Sequence, residues 1–514
     1  MSHDTTSDTD LDPALVRLAD AILIPAFPGP AAPGWALRAL ERGLAGVTLF
    51  GPNIAAPEQV TALTEELRAA AGRAPGMAGA GPLIAIDEEG GDVTRVAYAD
   101  GSPYPGNAAL GAVDDVALTR DVYQAMGADL ARLGINLDLA PCADVLGSAD
   151  SPAVGTRSFG TDTALVARHT AAAVAGLQGA GVAACAKHFP GHGRTGTDTH
   201  LAVATIEGGL DELRRRDLPP FAAAIKAGTA AVMPSHLRVP ELTGDLPATV
   251  SEAALIGLLR GELGFTGVIV SDALEMRATR DLFGIPQAAV LAVAAGTDLL
   301  CLGRDGHQGD YVAVRDALVA AVRDGTLAGE RLEEAVDRVA GLRGGLARGP
   351  RSGGGTGGPG GPDGPGAAAR AGGRDVGLEA ARRAARRSGP PPVLTHPLII
   401  EVEPGENFAA GRFGWGLGPW APAGSVRRIH PAGASVADLL ASAAGRSLVA
   451  VVRDAHRDHA TWSLITDLLA ARPDTVLVEM GLPLWHPPDG TSYLTTYGAS
   501  RASAQAAAEL LGLA

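Results

Sequence analysis

Along the first two thirds of the chain, short apolar runs alternate with longer Ala/Leu/Arg/Glu segments whose apolar positions recur at helical spacing. The runs are AILIPAF (21–27), GVTLF (46–50), PLIAID (82–87), NLDLAP (136–141), VAACAKH (182–188), AAVMPSH (230–236), GVIVSDA (267–273) and TDLLCLG (297–303). Each is short, apolar and set between segments of helical period, so each reads as a buried strand. Strands separated by helices pair in parallel. Eight such units predict an α/β fold, a (β/α)8 TIM-type barrel with insertions, whose functional groups gather where the strands end. The polar residues obey that rule: Asp87 closes the third run, Asp144 follows the fourth, Lys187 and His188 close the fifth, His236 the sixth, and Asp272 lies in the end of the seventh. A doubly wound open sheet produces the same alternation but does not predict functional groups on so many strands.

The pattern breaks at GGLARGPRSGGGTGGPGGPDGPGAAARAGG, residues 344–373, whose Gly/Pro content is that of a solvated linker. Beyond it, LIIEV (398–402), LVAVVRD (448–454) and TVLVEM (475–480) read as strands and RASAQAAAELLG (501–512) as a helix. The expected organisation is a flexible polar start (1–14), a barrel (15–343), the linker (344–373) and a smaller α/β sandwich (374–514).

Composition narrows the partners. A net charge of −15 with no long basic stripe disfavours nucleic acid and anionic membrane, and a small-molecule or neutral polymer substrate fits better. The first twenty residues are acidic and polar where a secretion signal is basic then apolar, and no run of eighteen apolar residues occurs, so a cytoplasmic protein is expected. Cys142, Cys185 and Cys301 form no disulfide framework and no zinc spacing, and read as small buried hydrophobes.

One stretch stands out. KHFPGHGRTGTDTH (187–200) holds three of the twelve histidines and one of only two lysines, and its glycines and proline place it on a loop. His188, His192 and His200 invite a metal reading, but their spacing matches no familiar zinc pattern and Lys187 would repel a cation. Asp198 and His200, two apart, suit a second reading: the carboxylate fixes the imidazole tautomer and raises its basicity, which makes an acid/base dyad. Elsewhere, Asp87 precedes a Gly-Gly turn and Asp272 ends an apolar run; either also suits a bland role, as a turn aspartate or as the cap of the next helix. Arg95 and Arg157 could each bond a sugar hydroxyl or a carboxylate, or form surface salt bridges.

KHFPGHG, four residues, then DTH resembles the signature of the β-N-acetylhexosaminidase branch of glycoside hydrolase family 3, the NagZ-like enzymes. DEEGGDVTR, RSFG and SDALEM resemble that family's other segments, in the expected order, over residues 15 to 340 or so. The resemblance implies a retaining exo-β-N-acetylglucosaminidase acting on cell-wall peptidoglycan fragments, with no cofactor and no metal. Asp272 would be the nucleophile, His200 the acid/base and Asp198 its partner. Asp87, Arg95, Arg157, Lys187 and His188 would hold the sugar, His192 would shape the loop, and His236 would sit at the rim or behind the site. A histidine thereby replaces one carboxylate of the usual pair. Two alternatives remain: a phosphorylase, because an imidazole would not repel phosphate as a carboxylate would, and a non-catalytic sugar-binding protein. Asp92 stands where many relatives carry Arg, and so withholds a positive contact. With every catalytic candidate in the barrel, the small domain is expected to be structural or to extend the aglycone side.

Overall fold

The computed structural model describes residues 11–74, 80–147, 151, 153–195, 203–206, 208–303, 307–348, 366–404 and 416–514. All eight apolar runs of the N-terminal region contain strands: β1 (Leu23–Ile24), β2 (Gly46–Leu49), β3 (Leu83–Ile86), β4 (Leu137–Asp138), β5 (Ala183–Phe189), β6 (Ala231–Pro234), β7 (Val268–Ile269) and β8 (Leu300–Cys301). β2 to β7 form one parallel sheet in sequence order, and β1 pairs in parallel with β8. The six-stranded sheet curls until both of its ends meet that pair. At one end Thr48 donates its amide to the Pro25 carbonyl (3.1 Å) and its hydroxyl to that of Ile24 (3.1 Å); at the other, Val270 bridges Leu299. The strands are buried along their whole length, as their uninterrupted apolar sequence requires when helices cover a parallel sheet.

The helices take the connecting segments. Val116–Arg132 starts where Asp115 accepts hydrogen bonds from the Ala117 and Leu118 amides, and Thr163–Gly179 starts where Asp162 accepts from Leu165. These two helices pack on each other, and the second also packs against β5. The Gly/Pro-rich run expected as linker is helical at both described ends: Gly329–Ala347 overlaps its start and Gly366–Ala384 its finish. The Ala and Arg content of residues 366–384 favours a helix despite the glycines, and this helix packs against Val116–Arg132 and Arg501–Leu510.

The C-terminal region forms a second sheet from β9 (Arg386–Ser388), β10 (Leu398–Val402), β11 (Val426–Ile429), β12 (Leu448–Val452), β13 (Val476–Glu479) and β14 (Tyr493–Thr495). Its order is β11-β10-β12-β13-β14-β9, parallel except for β9. Leu398, Ile400 and Val402 face the helices Val436–Ser442 and His459–Ala471, while Ile399 faces Arg501–Leu510, so both faces are covered. Among the described residues no helix is long and apolar enough to cross a membrane.

Candidate active site

Three consecutive acids, Asp87, Glu88 and Glu89, leave the end of β3, and Lys187 comes up beside them from β5. The lysine is 2 % exposed and donates to Asp87 Oδ1 (2.7 Å), with its Nζ 2.8 Å from Glu89 Oε1. Arg157, in the turn Gly155–Arg157, grips Glu89 from the other side through Nε (2.9 Å) and an NH2 (2.7 Å). Burial alone would raise the Glu89 carboxyl, but Arg157 and Lys187 override it and hold the group well below the ordinary carboxylate range. Lys187 answers in kind: burial works against its ammonium, and Asp87 and Glu89 more than offset that. Four buried or half-buried charges therefore sum to zero in a fixed arrangement. Asp87 remains half-open to solvent, and Arg95 approaches its second oxygen at 3.8 Å. An ammonium has three donors, and two of those on Lys187 are engaged by Asp87 and Glu89.

A second buried centre lies beside the first. Asp144 accepts from His188 Nδ1 (2.7 Å), from the His192 amide (2.6 Å) and from the Cys142 thiol (3.1 Å). Burial pushes its carboxyl up, and His188 and His192 reverse this so that it stays ionised. His188 Nδ1 thus carries a proton, and Nε2 accepts from Arg157 at 3.2 Å. The two centres are joined through that bond. Cys142, Asp144 and His188 bring ligand-type atoms within 4.8 Å of one another; the hydrogen bonds among them account for that closeness.

The loop after β5 needs its glycines for contact. A Cβ on Gly193 would lie 2.1 Å from the Val145 carbonyl oxygen, so only glycine lets this loop lie on the β4 segment. His192 is buried and bonds Thr195 through Nδ1 (2.9 Å), and burial pushes its ring down to about 4, which keeps it neutral near pH 7. The expectation that it shapes the loop fits these contacts. His236 is fully buried: Nε2 donates to the Ala273 carbonyl (3.0 Å), directly beyond Asp272.

Asp272 follows β7 half-buried, and its Oδ1 accepts from the Ala273 amide (2.8 Å). The next helix begins at Arg277 with Met276 at its cap position, so Asp272 is not that helix's cap. Asp87 and Asp272 both follow the C-terminal ends of strands, β3 and β7, of one parallel sheet, so the two carboxylates leave the same end of that sheet. Asp87, Arg95, Arg157, Lys187 and His188 are thus brought together, with Asp272 at the same end. Asp198 and His200 lie outside the described residues.

Sequence reasoning passed over two of the central groups. Glu89 was visible only as one acid among three, and Asp144 only as a polar residue after a strand. Their importance comes from partners 98 and 44 positions away, respectively.

Comparison with known proteins bears on the same segments. Residues 38–342 match the glycosyl hydrolase family 3 N terminal domain. A Beta-hexosaminidase of Stenotrophomonas maltophilia is 40% identical over 278 residues, covering 52% of this chain and 80% of that protein. Beta-hexosaminidase LpqI of Mycobacterium tuberculosis is 38% identical over 277 residues, covering 52% and 70%. Among solved structures, the glycoside hydrolase family 3 beta-N-acetylglucosaminidase of Paenibacillus sp. str. FPU-7 superposes with a TM-score of 0.82 at 31% identity, over 97% of each chain. The matched span begins ahead of β2 and ends past β8, taking in the Glu89 and Asp144 centres and Asp272, and on that ground the chain belongs to glycosyl hydrolase family 3.

Proposed function

We propose that the protein is a retaining exo-β-N-acetylglucosaminidase, and that its substrates are terminal β-N-acetylglucosaminides of peptidoglycan fragments. The observation that carries this is the neutral set of Asp87, Glu89, Arg157 and Lys187 beside the ends of β3 and β5, with Asp272 following the same end of β7 in the same parallel sheet. Such a set presents hydroxyl donors and acceptors held in place before substrate arrives, which is what a sugar ring requires. The names of the relatives, hexosaminidases and a beta-N-acetylglucosaminidase, support the same substrate class.

In this reading residues 15–343 form a closed (β/α)8 barrel, 344–373 connect, and 374–514 form the sandwich. Asp87, Arg95, Arg157, Lys187 and His188 bind the terminal sugar by its hydroxyls. Asp272 attacks the anomeric carbon and forms a glycosyl ester as the bond to the leaving oxygen breaks. His200, held by Asp198, gives its proton to that oxygen and then takes one from the incoming water, which restores the enzyme with retained configuration. Asp198 and His200 enter on the sequence motif alone. Three buried free thiols suit a reducing, cytoplasmic setting.

Release of 4-nitrophenol from its β-N-acetylglucosaminide tests the proposal. The wild-type protein should turn it over without added phosphate, and Asp272→Ala should lose at least about 1000-fold in kcat, since loss of a nucleophile leaves only binding and electrostatics. Turnover that requires phosphate and yields a sugar 1-phosphate would replace water with phosphate as acceptor, and full activity in Asp272→Ala would sink the assignment.

A further inference from the structure

The turn that delivers Arg157 to the site is held from outside the matched domain. Ser151 and residues 153–157 face two loops at the ends of β12 and β13, and three side chains from these loops reach across. Arg453 donates to Asp92 Oδ2 (2.6 Å), an ion pair whose side chains are 10% and 2% exposed. The same oxygen accepts from the Thr156 hydroxyl, next to Arg157, and the other accepts from the Ala499 amide (2.7 Å). Arg457 donates to the Ser151 carbonyl (3.1 Å), the same carbonyl that accepts from the Gly155 amide (3.0 Å). Its guanidinium lies flat enough on the turn that a Cβ on Gly155 (φ +47°) would stand 3.3 Å from it. Leu482 packs into one apolar cluster with Ala108, Cys142, Leu146 and Val154.

The loops making these contacts are themselves fixed. Glu479, fully buried at the end of β13, accepts from the Asp454 amide (2.8 Å), the Gly481 amide (2.7 Å) and the Trp485 indole (3.2 Å), which ties the 453–457 loop to the 480–485 loop.

We infer that Arg453 and Arg457 are positioning residues for the sugar site: the C-terminal sheet serves as the mould in which the turn Gly155–Arg157 sets, and so fixes the angle at which Arg157 meets Glu89, His188 and the sugar. Neither arginine touches the reacting atoms. Both act through Asp92, Thr156 and Ser151 on the three-residue turn Gly155–Arg157. Asp92, the acid that withholds a positive contact from the sugar, is the residue that accepts this brace. The inference rests on Arg157 gripping substrate, as proposed above, for its kinetic consequence, but not for its structural one.

Two measurements on the full chain separate these. Amide hydrogen exchange of the peptide spanning 151–157 should be at least about 10-fold faster in Arg453→Met and Arg457→Met than in wild type, because each removes a contact that fixes the turn. Steady-state hydrolysis of 4-nitrophenyl β-N-acetylglucosaminide should show kcat/KM reduced roughly 10- to 100-fold, as for a misplaced binding group, with most of the loss in KM. The same substitutions made in an Arg157→Ala background should cost less than about 2-fold, since the group they position is gone. The charge-swapped pair Asp92→Arg with Arg453→Asp should recover part of the loss. Unchanged exchange at 151–157 in the single variants overturns the inference whatever the activity. Equal losses with and without Arg157 also overturn it, by showing general destabilisation. A wild-type protein without glycosidase activity overturns the proposed function instead, and leaves the exchange result to decide the brace.

Discussion

Glu89 and Glu479 occupy equivalent places in two different sheets. Glu89 lies three residues beyond the C-terminal end of β3 and Glu479 is the last residue of β13, and each is almost wholly buried, at 3% and 0% exposure. Their charges nevertheless go opposite ways. Glu89 has Arg157 and Lys187 within 2.8 Å and is held ionised against burial. Glu479 has backbone amides and one indole for donors, and burial with the neighbouring Asp454 pushes it up to about 7. Burial sets the same penalty at both sites, and the presence of a paired cation decides which group stays charged. A site built to hold a polar ligand needs the first arrangement; a hub that ties loops together can use the second.

The largest effect should come from removing the charge at Glu89. Glu89→Gln leaves Lys187 and Arg157 buried against Asp87 alone, and breaking one partner out of a buried ion set costs about 3–5 kcal/mol. Urea unfolding at pH 7 measures this, and a loss under about 1 kcal/mol would mean that the cations relax into solvent. Adding Lys187→Met to the same chain should recover part of the stability and none of the activity, because charge balance returns while a sugar donor is lost.

Asp144→Asn sharpens the comparison at a smaller scale. The carboxylate loses its charge-assisted bonds to His188 and the His192 amide, each worth about 1.5–3 kcal/mol when one partner is ionised. The net effect should be a stability loss of about 2 kcal/mol and a fall in kcat/KM near 10-fold, since His188 no longer has its ring fixed. A fall in stability with unchanged kinetics would separate the Asp144 centre from the sugar site.

How much of this could be read from the chain depended on the range of the interaction. The eight N-terminal strands were legible because each is a run of apolar residues that no exposed segment would carry. β11 was not, since VRRI turns two exposed arginines outward on the edge of its sheet, and β9 is the exposed stretch RRS. At the site, Lys187, His188, Asp87 and Arg157 were legible by their placement at strand ends or in a motif. The pairing of Asp92 with Arg453 was not, because 361 positions separate them and nothing local marks either. Asp92 stood out only as an acid where the resemblance leads one to expect Arg, and its bonds to Arg453 and the Ala499 amide on the C-terminal side account for it.

The smallest effect is the one that tests the protonation difference directly. Glu479 binds its proton more tightly in the folded chain, at about 7, than in the unfolded chain, at the ordinary value of 4.5. Between those values the folded state holds more protons, so this group's contribution to stability falls as pH rises through the window and is fully lost above about 7. Glu89, depressed by its cations, behaves in the opposite sense: its contribution is present above its unfolded value and is lost only on acidification. Glu479→Gln should therefore flatten the decline in stability between about pH 5 and pH 8 by on the order of 2 kcal/mol. At pH 5 the variant should be slightly weaker than wild type, because an amide nitrogen cannot accept the Trp485 bond. At pH 8 the order should reverse, since the wild-type chain then keeps a charge buried beside Asp454 while the glutamine does not. Parallel stability curves for the two chains across that range would place the Glu479 proton elsewhere and make the two glutamates alike.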